Sequence, residues 1–304
     1  MTGRLTRRGG GPARLRALLA SGQTIVAPGA FDPLAARLVE EAGFPAVYMT
    51  GFGTSAALLG RPDVGLLTMT EMVDNAGRIA ACVDISVIAD ADIGYGNPLN
   101  VIRTIGAYEA AGVAGVHLED QVAPKKCGHM EGKQVIPAAE MVQKVRAAVE
   151  ARSDPDFVII ARTDARAVAG LAAALERGRM YRDAGADVLF IEALVTEQEA
   201  EAAAAEFAGV PLLFNWAEGG KTPPLPLPRL KELGYRIVIF PIGTLLAATA
   251  AMRRVLREIA VAGTPAGVLA GLPSFAEFVE FIGLPEVQQA EQRYAAETAP
   301  DQPG

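Results

Sequence analysis

Eight apolar runs of five to seven residues, at 24–30, 46–50, 85–90, 113–119, 157–162, 188–192, 211–215 and 236–240, punctuate the chain. Between and after them lie stretches of helical period at 33–42, 70–81, 97–111, 137–151, 171–184, 197–207, 227–233 and 244–262. Runs that are apolar at nearly every position are what a parallel strand shows when both of its faces are buried. Ala42-Gly43, Ala111-Gly112, Ala184-Gly185 and Leu233-Gly234 close four of the helices, because the residue after a helix end takes a left-handed backbone that suits glycine. Eight strand–helix units in unbroken succession predict an α/β fold of the (β/α)8 TIM-barrel type. A doubly wound sheet would need a reversal of strand order and usually has fewer strands. A short helix at 13–20 precedes the first strand. A single domain is expected over 1–304, with the barrel at 22–262 and a C-terminal helical extension at 263–297. Phe275, Phe278 and Phe281 of that extension need a partner, either the barrel's flank or a second subunit. From Thr298 onward the end should fray.

Composition narrows the class of function. Apolar residues make up 51% of the 304 and charged residues 21%, enough for a sizeable core. A net charge of −7 argues against a general nucleic-acid or anionic-membrane binder. Two cysteines, Cys82 and Cys127, make no disulfide framework and point to a reducing compartment. The basic start at 1–16 lacks the apolar run of a secretion signal, and no apolar stretch approaches the ~20 residues that span a bilayer. The expectation is a cytoplasmic metabolic protein.

In a barrel of this kind the active site forms where strands end and the following loops begin. The strand ends here deliver Tyr48 and Thr50, Asp90 and Asp92, His117, Glu119 and Asp120, Arg162 and Asp164, Glu192, and Asn215. So many charges at one level of a core cost too much without pairing or a ligand. Asp90 and Asp92, two apart on a strand, should point the same way. With Glu119 and Glu192 they offer hard oxygen donors and no soft ones, which suits Mg²⁺ or Mn²⁺; for Asp92, capping the next helix is the alternative. Arg162 is placed to hold a carboxylate by its forked donors. Thr50-Gly51-Phe52-Gly53 could present backbone amides to an oxyanion. His117 reads equally as a structural residue or a catalyst. No glycine-rich phosphate cradle opens a helix, so a nucleotide is not expected.

One further stretch stands out, Lys125-Lys126-Cys127-Gly128-His129, followed by Met130-Glu131-Gly132-Lys133. Cationic neighbours should lower the pKa of the Cys127 thiol, and two glycines should let the segment move. The plainer alternative is a solvated surface loop with an incidental cysteine. A metal, a guanidinium, an amide nest and a thiol together imply a small anionic ligand with an oxygen pair for chelation, such as an α-hydroxy or α-keto acid.

From about Gly22 to the C-terminal helices, these residues resemble the isocitrate lyase / phosphoenolpyruvate mutase superfamily. Lys125-Lys126-Cys127-Gly128-His129 is similar to the signature of its lyase branch, accompanied by Asp90-Ala91-Asp92 and Ala161-Arg162-Thr163-Asp164. His129 to Lys133 and Asn215 to Pro223 look like the subgroup of 2,3-dimethylmalate lyase and petal death protein. The resemblance implies a Mg²⁺-dependent carbon–carbon lyase acting on a 2-hydroxy dicarboxylate to give a 2-keto acid such as pyruvate. It implies metal binding by Asp90, Asp92 and Glu119, with Asp90 nearest and the others reached mostly through water. Cys127 would be the general acid, joined by Arg162, Glu119 and His117. Tyr48, Thr50, Gly51, Asp63, Lys125, Gly128 and His129, with Arg162, Glu192 and Asn215, would surround the substrate. Relatives that cleave methylisocitrate carry an arginine after the eighth strand where Leu246 falls here. Losing a bidentate partner for a third carboxylate should cost ~2–5 kcal/mol, which favours alkylmalates. Gly243 stands where related enzymes often have Ser or Thr, and the serine goes with oxaloacetate hydrolysis. That activity, methylisocitrate cleavage and a phosphonate mutase reaction are the alternatives. The resemblance also implies a homotetramer with swapped C-terminal helices.

Overall fold

The structure, a computed structural model, describes residues 10–128 and 130–295. It divides into two compact units, one reaching Ala247 and the other taking the described residues from Ala248 onward. The division falls inside a helix, earlier than the boundary near 262 that the hydrophobic pattern placed. The expected fraying from Thr298 and the basic segment at 1–9 lie outside the described residues.

The first unit is built on β1 (Ile25–Ala30), β2 (Ala46–Met49), β3 (Ser86–Asp90), β4 (Gly115–Glu119), β5 (Val158–Thr163), β6 (Val188–Ile191), β7 (Leu212–Asn215) and β8 (Ile237–Phe240). Each pairs in parallel with the next, and β8 returns to β1, closing the barrel. The outer helices are α1 (Gly11–Ala20), α2 (Pro33–Glu41), α3 (Gly51–Leu59), α4 (Met69–Ala80), α5 (Pro98–Ala110), α6 (Ala138–Ala151), α7 (Ala165–Ala169), α8 (Leu171–Asp183), α9 (Glu197–Glu206), α10 (Leu227–Leu233) and α11 (Gly243–Ala262).

The period of two along a strand sorts the core into two layers. Ile25, Ala27, Tyr48, Ile88, Ile160, Phe190, Leu213 and Ile239 fill the barrel interior. Their neighbours Val47, Met49, Val87, Ile159 and Leu189 face the helices. The N-terminal helix α1 closes the bottom of this interior, because its fully buried Leu15 joins the same cluster. Arg16 fastens it through Nε to the Asp156 carbonyl at 3.0 Å and through Nη2 to Asp187 at 2.8 Å.

Two helices, α3 and α7, are absent from the pattern. α3 starts Gly-Phe-Gly, a poor helix former. It forms because Thr50 caps it, its hydroxyl accepting from Gly53 N at 3.2 Å. The expected amide nest at 50–53 is therefore the first turn of a helix.

The second unit holds the rest of α11, a 3-10 helix at Ala266–Gly271, α12 (Phe275–Phe281) and α13 (Leu284–Tyr294). Ser274 and Glu277 form a capping box at the start of α12. Phe275 is 83% exposed and Tyr294 78%, so these rings lack cover in the single chain. Among the described residues no helix is long and apolar enough to cross a membrane.

Candidate active site

The C-terminal ends of the strands surround a cavity of about 210 Å³. Tyr48, Asp90, Glu119, Arg162 and Asn215 reach it from β2, β3, β4, β5 and β7, and Thr50, Asp63, Lys125, Cys127 and Gly128 from the loops. Phe52, Met130, Ala217, Pro241 and Ile242 form an apolar wall.

Strand register sets the polar floor. Glu119 on β4 pairs in register with Arg162 on β5, and Glu119 Oε2 lies 3.2 Å from Arg162 Nη1. Arg162 also grips Asp164, Nε to Oδ2 at 2.9 Å and Nη2 to Oδ1 at 3.1 Å, and its guanidinium stands 5.1 Å from the Phe190 ring centroid. The two bonds to Asp164 fix the plane of the guanidinium and use two of its five N–H groups, leaving donors on the side of Glu119 and the cavity for a ligand. Asp164 meets Lys133 Nζ at 2.9 Å as well. Burial works against the Asp164 carboxylate, but Arg162 and Lys133 override it and hold Asp164 well below the usual range.

Asp90 lies beside His117 in register, its Oδ1 3.4 Å from Nε2. The same nitrogen is 2.7 Å from the Tyr48 hydroxyl. Burial drops His117 to about 4 in spite of Asp90, so the imidazole is neutral near pH 7. His117, expected among the catalytic residues, does not line the cavity; its Nε2 touches Tyr48 and Asp90, which do. Burial, then Asp90, raises the Tyr48 phenol well above its ordinary range, so it stays a donor. Gly51 lets Asp90 approach α3: a Cβ there would fall 2.3 Å from Asp90 Oδ2. Glu192 is fully buried behind the cavity wall, accepting from Asn215 Nδ2 at 3.1 Å.

Asp92 departs from the expectation. β3 ends at Asp90, and Asp92 takes a left-handed backbone with φ 47°. Its carboxylate turns to Lys125, Oδ1 to Nζ 2.6 Å, and it does not line the central cavity. Lys125 Nζ also meets Asp63 at 2.7 Å. Burial opposes its charge, but Asp92, Asp90, Glu119 and Asp63 override it and keep Lys125 protonated.

The three lysines around Cys127 have partners of their own, which corrects the idea of a cationic sheath for the thiol. Lys125 is buried among carboxylates, Lys126 Nζ reaches the Gly132 carbonyl at 3.1 Å, and Lys133 spans from Asp164 to the Gly128 carbonyl. The described part of the loop is strapped down before and at Cys127. Gln121 exchanges hydrogen bonds with Lys126 at 2.8 and 2.9 Å, and Cys127 N donates to the Asp63 carbonyl at 3.1 Å. Cys127 is partly exposed and lines the cavity. Gly128 packs so closely that a Cβ would sit 2.6 Å from Arg162 Nη2 and 2.7 Å from Glu192 Oε1. His129 lies outside the described residues.

Among the described residues no three His, Cys, Asp or Glu side chains converge to hold a metal unaided. The donors nonetheless fit a hydrated one. Asp90 and Glu119 both line the cavity, and the buried Glu119 Oε1 has no hydrogen-bond partner. Magnesium typically takes one or two carboxylates and fills its octahedron with waters and ligand oxygens.

The family model described as phosphoenolpyruvate phosphomutase matches residues 15–260. This chain belongs to the phosphoenolpyruvate mutase / isocitrate lyase superfamily. It is a carbon–carbon lyase of that superfamily, whose members generally depend on a divalent metal. A 2,3-dimethylmalate lyase of Eubacterium barkeri is 48% identical over 283 residues, 93% of this chain and 98% of its own. A probable 2-methylisocitrate lyase of Corynebacterium glutamicum is also 48% identical, over 254 residues, 84% of this chain and 83% of its own. An oxaloacetate acetylhydrolase, solved with 3,3-difluorooxalacetate, superposes with a TM-score of 0.90 at 38% identity, covering 96% of this chain and all of that one. Identity alone therefore does not choose the substrate.

The superfamily resemblance drew attention to Leu246, but that residue is 49% exposed on α11 and does not line the cavity. Several lining residues had no assigned role in the sequence, among them Met130, Ala217, Glu218, Pro241 and Ile242. Met130 sits in the loop motif and Glu218 in the Asn215–Pro223 stretch, but neither motif reveals the contacts its side chain makes.

Proposed function

We propose that this lyase cleaves a 2-alkylmalate, of the 2,3-dimethylmalate type, to pyruvate and a monocarboxylate. The observation that carries the reading is a cavity with two chemistries: a charged floor of Asp90, Glu119 and Arg162, and an apolar wall of Phe52, Met130, Ala217, Pro241 and Ile242. The floor suits a carboxylate with an adjacent hydroxyl; the wall suits small alkyl substituents.

Arg162 holds the carboxylate on C2 through N–H groups that Asp164 does not occupy. The Tyr48 hydroxyl, fixed by His117, orients the substrate oxygen. Glu119 Oε1, which lacks a donor, receives the proton of the C2 hydroxyl. The C2–C3 bond then breaks, its electron pair passing to C3, where the neighbouring carboxylate delocalises it. The Cys127 thiol gives its proton to C3, completing the monocarboxylate. The strapped loop carrying Cys127 and Gly128 keeps bulk water from the carbanion. A Mg²⁺ ion held by Asp90, with Glu119 reached through water, would supply Lewis-acid stabilisation of the developing negative charge. In the same reading the uncovered rings of α12 and α13 pack on another copy, giving a homotetramer that exchanges C-terminal helices.

Product analysis by mass spectrometry with Mg²⁺ tests the reaction. 2,3-Dimethylmalate, other 2-alkylmalates, 2-methylisocitrate and oxaloacetate are offered to the wild type and to Cys127→Ser. The expected result is pyruvate from an alkylmalate, abolished by the substitution. Efficient methylisocitrate cleavage, or oxalate plus acetate from oxaloacetate with the malates inert, overturns it.

A further inference from the structure

Glu218 lines the cavity and has no part in the chemistry above. It follows β7, and its carboxylate reaches across to two successive backbone amides, accepting from Gly243 N at 2.7 Å and from Ile242 N at 3.1 Å. Those amides open α11, a 20-residue helix, whose N-terminal end carries partial positive charge and unpaired N–H groups. Gly243 admits the contact: a Cβ there would lie 2.5 Å from Glu218 Oε1. Ile242, which gives the other amide, is part of the apolar wall beside Ala217 and Pro241. The end of the cavity that faces the substrate's substituents thus holds a fixed carboxylate. It occupies the pair of amides there best suited to receive a ligand's carboxylate.

We infer that Glu218 is a specificity-determining residue, an internal carboxylate seated where a third carboxylate of a ligand would otherwise bind. The inference rests on the proposed reading of the cavity as an acid site. A dicarboxylate with alkyl substituents leaves Glu218 undisturbed. A tricarboxylate must either lie beside it, like charge against like, or displace it from both amides. Selectivity here is built from repulsion and prior occupancy, a role the exposed Leu246 cannot supply from outside the cavity. It also gives Gly243 a physical meaning: a Cβ at that position would lie 2.5 Å from Glu218 Oε1 and force the carboxylate to shift from its seat on the amides.

Calorimetry on the full chain loaded with Mg²⁺ tests this, using 2-methylmalate and propane-1,2,3-tricarboxylate as probes. The variants are Glu218→Ala, Glu218→Gln and Gly243→Ala. The ratio of the two affinities should move toward the tricarboxylate by about tenfold or more in Glu218→Ala and Gly243→Ala. The shift should be smaller in Glu218→Gln, which keeps the shape and one acceptor. A ratio unchanged in all three variants overturns the inference. So does parallel weakening of both probes in folded protein, the result a purely structural prop would give. If Glu218→Ala does not fold, the other two variants decide. Because binding is read, failure to cleave alkylmalates would refute the proposed reaction and leave this result standing.

Discussion

Asp164→Asn isolates the charge that holds the site's guanidinium. Asp164 is fully buried and faces two cations, Arg162 and Lys133, whose side chains are 8% and 2% exposed. The substitution keeps the shape and removes the charge, leaving two buried cations with one neutral acceptor between them. Breaking a buried ion pair from one side costs about 3–5 kcal/mol. For a unit of this size each kcal/mol moves Tm by roughly 2–4 °C, so a fall of about 6 °C or more is expected at pH 7. Arg162 also loses the fork that fixes its plane, and KM for the acid substrate should rise about tenfold or more.

The acid limb supplies the second readout. Asp164 has a folded pKa depressed below the unfolded value, near 3.9 for an ordinary aspartate. Its stabilising contribution is therefore complete above that value and fades as pH falls through the folded pKa. Calorimetric or fluorescence melts should show the gap between wild type and Asp164→Asn constant from about pH 7 to 5 and narrowing below about 4. A Tm at pH 7 within about 2 °C of wild type, or a gap that persists undiminished into acid, would refute the role given to Asp164.

Gly128→Ala places a methyl 2.6 Å from Arg162 Nη2 and 2.7 Å from Glu192 Oε1, so kcat/KM should fall by roughly ten- to a hundredfold with little change in Tm; steady-state kinetics within twofold of wild type would contradict the packing argument. Lys125→Met strands the buried Asp63 and Asp92, costing about 3 kcal/mol at pH 7. Protonation of the stranded carboxylates should recover part of that loss as pH falls toward 5, and equal destabilisation in melts at the two pH values would count against it.

The barrel was legible because burial of both strand faces leaves a local trace: apolar runs too short for helices, each followed by a helical period and a glycine stop. The floor of the site was legible for the same reason. Asp90, Glu119 and Arg162 stand at the ends of such runs, where strand geometry alone decides the direction they face. What depended on non-local partners was not visible. Lys125, Lys126 and Lys133 announce charge, but not that their partners are Asp63, Asp92, Asp164 and backbone carbonyls. Asp92 follows Asp90 by two residues, and only the left-handed turn at φ 47° takes it off the strand. Glu218 is harder still, since its partners are main-chain amides 24 and 25 positions away, with no side chain to mark them.

The balance of buried charge gives the site's chemistry a further constraint. Among the described residues, Asp63, Asp90, Asp92, Glu119, Asp164 and Glu192 are six buried carboxylates, set against Lys125, Lys133 and Arg162; the fourth buried cation, Lys144, donates to the Ile93 carbonyl at 3.1 Å and is left out of the sum. Asp120 is excluded because Arg177 answers it at 2.9 Å, and His117 is neutral. Six minus three leaves a formal charge of −3 around a cavity that, in the proposed function, receives an anion. Burial relieves some of this by raising the Glu119 carboxyl, but an organic dianion would still enter against the field. A divalent cation on Asp90 and Glu119 changes that balance at the point where the substrate's oxygens arrive. In the proposed function, the acidic floor would retain a cation between turnovers, and Arg162, which lines the cavity, would distinguish the end of the substrate that carries its carboxylate.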